Sequence, residues 1–364
     1  MAQKRKKISG RTILTIITLI LVAIVVWGAR DNIVKAFTEV LPTMNLLFVF
    51  ALIPEQLFLY FTAGQMFFSY MAAKKNAKKI PLKTLARISF ELNFVNHAIP
   101  SGGIAGLGYI SWRLVPYGSS VGQTTFMYVL RYIITICTKQ LLVFVALIVL
   151  VCTGSVVEGA EWVIWLTTLV CLGVLGALVC IILIASKRSR IEKFARFVSK
   201  LINGIVYQIT GHRKKEVLAP EKIEKYFLDI HHDIVLVRRN KKILIKPILW
   251  GLLYSFFEVA TFWLVAMGLG HPEIFPQIIV GDVLATIVGA VIPTPGGVGG
   301  FETVMIMFMT ALGVGADLSF SVVITTRVLI LLNTIVSGYG FYQSAISKIG
   351  KKEKEKILQG NGQA

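Results

Sequence analysis

The chain has 364 residues, of which 55% are hydrophobic and only 16% charged, and its mean hydropathy is +0.72. Soluble domains average about 25% charged residues, and here the apolar residues fall in blocks of roughly 18 to 30, enough to cross a hydrocarbon core about 30 Å thick, so a soluble fold of this size is excluded for want of polar surface. The net charge of +19 would suit a nucleic-acid binder, but the Lys and Arg residues cluster between apolar blocks, which is the positive-inside pattern of a membrane protein.

A basic start, with Lys4, Arg5, Lys6 and Lys7, precedes an apolar run over 13–28. Trp27 stands where a signal-peptidase site needs a small residue, so this run reads as an uncleaved first span with a cytoplasmic N-terminus. A second span is expected over 44–71, closed by Lys74, Lys75, Lys78 and Lys79. The moderately apolar stretch 82–116 is interrupted by Ile99-Pro100-Ser101-Gly102-Gly103. Spans over 121–153 and 162–185 follow, joined by a short loop with Glu158 and Glu161. The segment 187–246 is polar and holds sixteen Lys and Arg. Within it Phe194, Phe197, Val198, Leu201 and Ile205 stand at near-helical spacing, which fits an amphipathic helix on an anionic leaflet or a solvated positive-inside loop equally well. A span over 247–269 precedes a second interrupted stretch, 278–312, whose break runs from Ile292 through Pro293-Thr294-Pro295-Gly296-Gly297-Val298-Gly299-Gly300 to Phe301 and Glu302. The last span, 318–347, ends in the basic tail Lys348, Lys351, Lys352, Lys354 and Lys356.

Charge parity then sets the topology. The basic clusters at 4–7, 74–79, 187–246 and 348–356 belong on the cytoplasmic side, and the Lys/Arg-poor linkers at 30–43, 154–161, 270–277 and 313–318 on the outer side. That assignment holds only if each interrupted stretch returns to the side from which it entered. Two re-entrant hairpins of opposite orientation are therefore expected. The chain divides into a first repeat, 44–153, a basic cytoplasmic segment, 187–246, and a second repeat, 247–347, within one transmembrane domain. Each repeat carries a Glu before its hairpin (Glu55, Glu258) and an Arg after it (Arg131, Arg327). The fold class expected is an all-α polytopic membrane protein with an inverted-topology repeat, an architecture that places transport sites near mid-membrane at discontinuous helices.

Pro removes a backbone donor and Gly permits left-handed turns, so each break should leave a half-helix N-terminus, a place where phosphate binds readily. The candidate substrate-binding residues of the breaks are Pro100, Ser101, Gly102 and Gly103, and Pro293, Thr294, Gly296, Gly297, Gly299 and Gly300. Ionisable groups inside spans cost roughly 2.5–3.5 kcal/mol each on insertion scales. Those that stand out are Glu55, Glu91, Arg131, Lys139, Glu258, Asp282, Glu302 and Arg327. Arg131 and Arg327 suit bidentate contact with an anionic head group. Glu55, Glu91, Glu258, Asp282 and Glu302 complete the candidate site, either balancing those arginines, contacting a head-group amine, or bridging the two repeats as structural ion pairs. Cys137, Cys152, Cys171 and Cys180 lie in apolar blocks without metal-ligand spacing, and the adjacent His231 and His232 point to different helix faces, so no metal or other cofactor is expected. No nucleotide-binding loop, nucleophile elbow or zinc-protease motif occurs.

The two breaks resemble the signatures of the lysylphosphatidylglycerol synthase transmembrane-region family, the flippase half of bacterial multiple peptide resistance factors. The resemblance implies movement of an anionic or aminoacylated phospholipid between leaflets of the cell membrane, with resistance to cationic antimicrobial peptides as the consequence. The sequence stops at Ala364, soon after the last span, so the family's lysyltransferase activity is not expected and the chain reads as a transporter rather than an enzyme. A flippase for a polyprenyl-phosphate-linked sugar, a membrane enzyme acting on lipid head groups, and a scaffold for a separate synthase are the competing readings. Membrane phospholipids are the expected partners; a separate synthase or glycosyltransferase and a second copy of the chain are further candidates, and nucleic acid is not.

Overall fold

The computed structural model describes residues 20, 23, 26–74, 80–99, 101, 103–154, 156–185, 220–289 and 298–360. The first span expected at 13–28 falls almost wholly outside the described residues, as do the apolar positions 194–205 and Pro100, Gly102, Pro293, Thr294, Gly296 and Gly297. Among the described residues every regular element is helical. They are α1 (Arg30–Lys35), α2 (Leu46–Ala72), α3 (Leu82–Ala98), α4 (Ile104–Leu114), α5 (Val121–Cys152), α6 (Glu161–Ala185), α7 (Pro220–Arg239), α8 (Ile245–Gly268), α9 (Phe275–Gly289), α10 (Gly300–Ala311) and α11 (Ala316–Gly360).

Among the described residues six helical segments are long and apolar enough to cross a membrane: Leu46–Ala72, Val121–Cys152, Glu161–Cys180, Lys241–Gly268, Pro272–Gly289 and Ala316–Ala345. Their outward faces carry large apolar side chains, among them Leu47, Ile148, Trp165 and Leu169, as lipid contact requires. The helices that follow the two breaks are too short to span: at 1.5 Å per residue α4 with 11 residues and α10 with 12 reach about 16–18 Å against the ~30 Å core.

The linker at 30–43 is helical in α1, with a π-helical turn over Ala36–Val40 and a 3-10 turn over Leu41–Thr43; the buried Ala36 packs against Ile324 and Val328 of α11. The last helix runs to Gly360, beyond its membrane-length part at Ala316–Ala345.

The packing joins elements of the two halves of the chain. The corresponding helices α2 and α8 cross antiparallel: Asn45 N–H donates to Gly268 O at 2.9 Å, Phe58 meets Phe257 with ring centroids 4.9 Å apart, and Met66 lies against Gly251. The first arm of each hairpin packs on the last span of the other repeat, α3 on α11 and α9 on α5, while the second arms α4 and α10 pack on α5 and α11 of their own repeats. Small residues permit these approaches. A Cβ on Gly106 would collide with Asn96 of α3, one on Gly338 with Phe94, and one on Gly281 would crowd Met305 and Met309. α7 docks at the start of α5 through Asp229, which accepts from Ser120 Oγ at 2.7 Å, and at the end of α2 through the fully buried Asp233, which pairs with Lys74.

Candidate functional site

The site begins at the two breaks, where backbone geometry demands glycine: Gly103 and Gly299 both hold positive φ, 88° and 93°, at the residue preceding a half-helix. Ser101 Oγ accepts the Ala105 N–H at 3.0 Å, and Tyr128 Oη of α5 donates to Gly103 O at 3.0 Å, so the start of α4 is capped and pinned. At the start of α10 the cap comes from within, as Glu302 Oε2 accepts the Gly299 N–H at 2.7 Å. The carboxylate thus stands where an anion would otherwise bind. Its other oxygen, Oε1, accepts from Arg327 Nε at 2.6 Å, and Arg327 lies over the Phe301 ring at 4.8 Å.

An open groove with about 590 Å³ of empty space connects these elements. Its charged and polar lining is His97 from the end of α3, Glu302 from α10, Arg327 from α11 and Asn32 from α1; the remainder is apolar, including Val298, Ile324 and Leu331. His97 Nδ1 lies 2.9 Å from Asn93 O. A carbonyl only accepts, so Nδ1 carries the proton and Nε2 is left as the variable atom of the ring. A groove with a few convergent polar groups on apolar walls is the common form of a small-ligand site.

Behind the groove lies a buried ionic centre. Lys139 of α5, 3% exposed, donates to Asp282 Oδ2 of α9 at 2.8 Å and to Thr286 Oγ1 at 2.8 Å, and pairs with Glu258 Oε2 of α8 at 3.0 Å. Glu258 also accepts from Tyr254 at 3.4 Å, and the Tyr254 ring carries the Arg131 guanidinium at 5.5 Å. Arg131 lies over two further rings, Phe67 at 5.5 Å and Tyr132 at 5.8 Å, and forms no ion pair among the described residues. Cation–π contact stabilises such a charge by roughly 0.5–2 kcal/mol per ring, without neutralising it.

The candidates therefore separate. Glu258 and Asp282 share Lys139, Arg131 reaches them through Tyr254, and Glu302 pairs with Arg327 in the groove. Glu91 does not join them: fully buried, it accepts from Arg87 Nε at 2.7 Å, from Arg113 Nε at 2.7 Å and from Tyr109 at 2.8 Å, which ties the two arms of the first hairpin together. Glu55 stands apart too, 9% exposed and bonded to Gln56 and Thr261. The expected symmetry of Arg131 with Arg327 stops at position, since only Arg327 has a carboxylate. Among the described break residues, Ser101, Gly103 and Gly299 act as caps and turns, and Gly300 opens α10.

Lys139, His97, Tyr254, Arg87 and Arg113 were not among the expected site residues. Lys139 had a legible signal, being an ammonium two helical turns after Arg131 on the same span, and Arg87 stands at the i,i+4 distance from Glu91 that favours an ion pair. His97 and Tyr254 had no such signal.

A family model described as the lysylphosphatidylglycerol synthase TM region matches residues 14–338. The chain belongs to that family. The matched region takes in both hairpins, the ionic centre and the groove, so the membrane bundle of this lysylphosphatidylglycerol synthase transmembrane-region protein is the family's own unit, and it is a multi-pass, lipid-related membrane protein. No curated protein and no solved structure matches the chain.

Proposed function

We propose that the protein is a flippase that moves a phosphate-bearing phospholipid, anionic or aminoacylated, between the leaflets of the cell membrane, with both termini cytoplasmic and the two hairpins re-entrant. The observation that carries this reading is the meeting of both hairpins at one groove, where Arg327 is held by a carboxylate that a phosphate can displace. Guanidinium and phosphate make paired, charge-assisted hydrogen bonds, and Glu302, once released, keeps its role as the cap of Gly299 N–H. Arg131, with aromatic but no acidic neighbours, supplies the second cationic contact. The inverted packing of the repeats supports alternating exposure of such a site to the two leaflets. Transport alone is assigned to the bundle, and carrying aminoacylated lipid to the outer leaflet would lower its negative charge and favour resistance to cationic antimicrobial peptides.

The test is reconstitution into vesicles with fluorescent lipids and a membrane-impermeant quencher in the bath. Phosphatidylglycerol and its aminoacylated form should cross measurably faster than in protein-free vesicles, and Arg327→Gln should slow both at least about tenfold, the loss of one charge-assisted pair worth at least about 1.4 kcal/mol. Crossing of a polyprenyl phosphate alone would reassign the cargo, and no crossing of any lipid would refute the reading.

A further inference from the structure

Among the described residues Glu55 is the one buried carboxylate without a basic partner. Glu91, Asp233, Glu258, Asp282 and Glu302 each have a basic partner; among the described residues Glu55 has none. It lies on α2 one residue after Pro54, whose ring removes a helical N–H, at the antiparallel crossing of α2 and α8. A charge left uncompensated at that depth is costly, and carboxyl groups so placed take up a proton instead.

The hydrogens around it can be counted. Thr261 Oγ1 is 3.1 Å from Glu55 Oε1, 3.0 Å from Phe257 O and 2.8 Å from Gln56 Nε2. The amide donates to the hydroxyl. The hydroxyl has one hydrogen, which cannot serve both the carboxyl oxygen and the Phe257 carbonyl. A proton on Glu55 Oε1 resolves the conflict, with the carboxylic acid donating to Thr261 and Thr261 donating to Phe257 O. From there a hydrogen-bonded path leaves the site: Tyr60 Oη donates to Gln56 Oε1 at 2.7 Å, Thr334 Oγ1 is 2.7 Å from Tyr60 Oη, Asn93 Nδ2 donates to Thr334 at 3.5 Å, and Asn93 O accepts from His97 of the head-group groove. A second, mostly apolar groove between α2 and α11 has Gln56 and Thr261 in its wall and so comes within one hydrogen bond of Glu55.

We infer that Glu55 is a proton-binding site whose occupancy is linked through Gln56, Tyr60, Thr334 and Asn93 to His97 and the head-group groove, so that lipid movement is coupled to protons. The titratable groups nearest it are Tyr60 on its own helix and Glu258, almost one turn before Thr261 on α8; α11 presents none between Arg327 and Tyr339. The coupling rests on the flippase reading; the proton site does not.

The experiment treats the two separately. Infrared titration of the whole protein in lipid should show a protonated-carboxyl band at neutral pH that is lost on alkalinisation, missing from Glu55→Gln and kept in Glu91→Gln. A band that survives Glu55→Gln, or no band in the wild type, overturns the site. In vesicles, an imposed pH gradient should change the wild-type rate of lipid crossing several-fold, whereas Glu55→Gln, a permanent stand-in for the neutral acid, should cross lipid at a rate blind to the gradient. A Glu55→Gln protein that follows the gradient as the wild type does overturns the coupling. If no lipid crosses in either protein the flippase reading fails, while the band still decides the proton site.

Discussion

Lys139→Met removes the only ammonium shared by Asp282 and Glu258. Asp282 is 1% exposed and its Oδ1 has no hydrogen-bond partner, so without the 2.8 Å contact from Lys139 its charge keeps no ion pair among the described residues. Removing one member of a buried ion pair costs about 3–5 kcal/mol, because the other is left uncompensated, and the upper end applies where two carboxylates lose the same cation. Glu258 is more tolerant, being 27% exposed at its side chain and within 3.4 Å of Tyr254. The double variant Lys139→Met/Asp282→Asn should therefore recover about half of the loss, a coupling of about 2 kcal/mol within the range seen for contacting residues. The assay is unfolding of the purified protein in mixed micelles, followed by tryptophan fluorescence, for wild type, both single variants and the double variant. A Lys139→Met protein within about 1 kcal/mol of the wild type, or a double variant no more stable than that single one, would refute the assignment of Lys139 as the clamp of the ionic centre.

Arg131→Met should behave differently: it loses cation–π contacts and leaves no charge uncompensated, so stability should fall by less than the about 3–5 kcal/mol expected of Lys139→Met, while lipid crossing in vesicles falls at least about tenfold. Gly106→Ala should destabilise the first hairpin by about 1–3 kcal/mol through overpacking against Asn96, and adding Asn96→Ala should relieve it, as read by the same unfolding assay. Glu302→Gln keeps an acceptor for the Gly299 N–H and loses the ion pair with Arg327, whereas Glu302→Ala loses both, so the alanine variant should be the less stable by about 1 kcal/mol, the usual worth of a helix cap.

The spans were legible because hydropathy is a one-dimensional property read against a fixed membrane thickness. The run expected over 121–153 is α5 at Val121–Cys152, and that expected over 162–185 is α6 at Glu161–Ala185. The breaks were legible for a related reason: consecutive glycines and prolines end a helix whatever surrounds them, and both breaks separate the helices they were expected to separate. The helical character of 30–43 was not, since it depends on Ala36 meeting Ile324 and Val328 nearly three hundred positions along the chain.

By itself the sequence determined which segments lie in the membrane, where two of them are interrupted, and that a handful of charges must be accommodated there, because each of these follows from local composition and the cost of leaving water. Only the tertiary structure decided how those charges pair. Lys139 and Asp282 are 143 residues apart, and whether they meet depends on the rotation of α5 about its axis and on α9 packing against the other repeat. The same rotations put Glu302 on Arg327, left Arg131 among aromatic rings, gave Glu91 two arginines of its own hairpin, and set Glu55 without a cation. A charge in a span must find a partner, a proton or a ligand, and the choice among the three is made by which helix faces it.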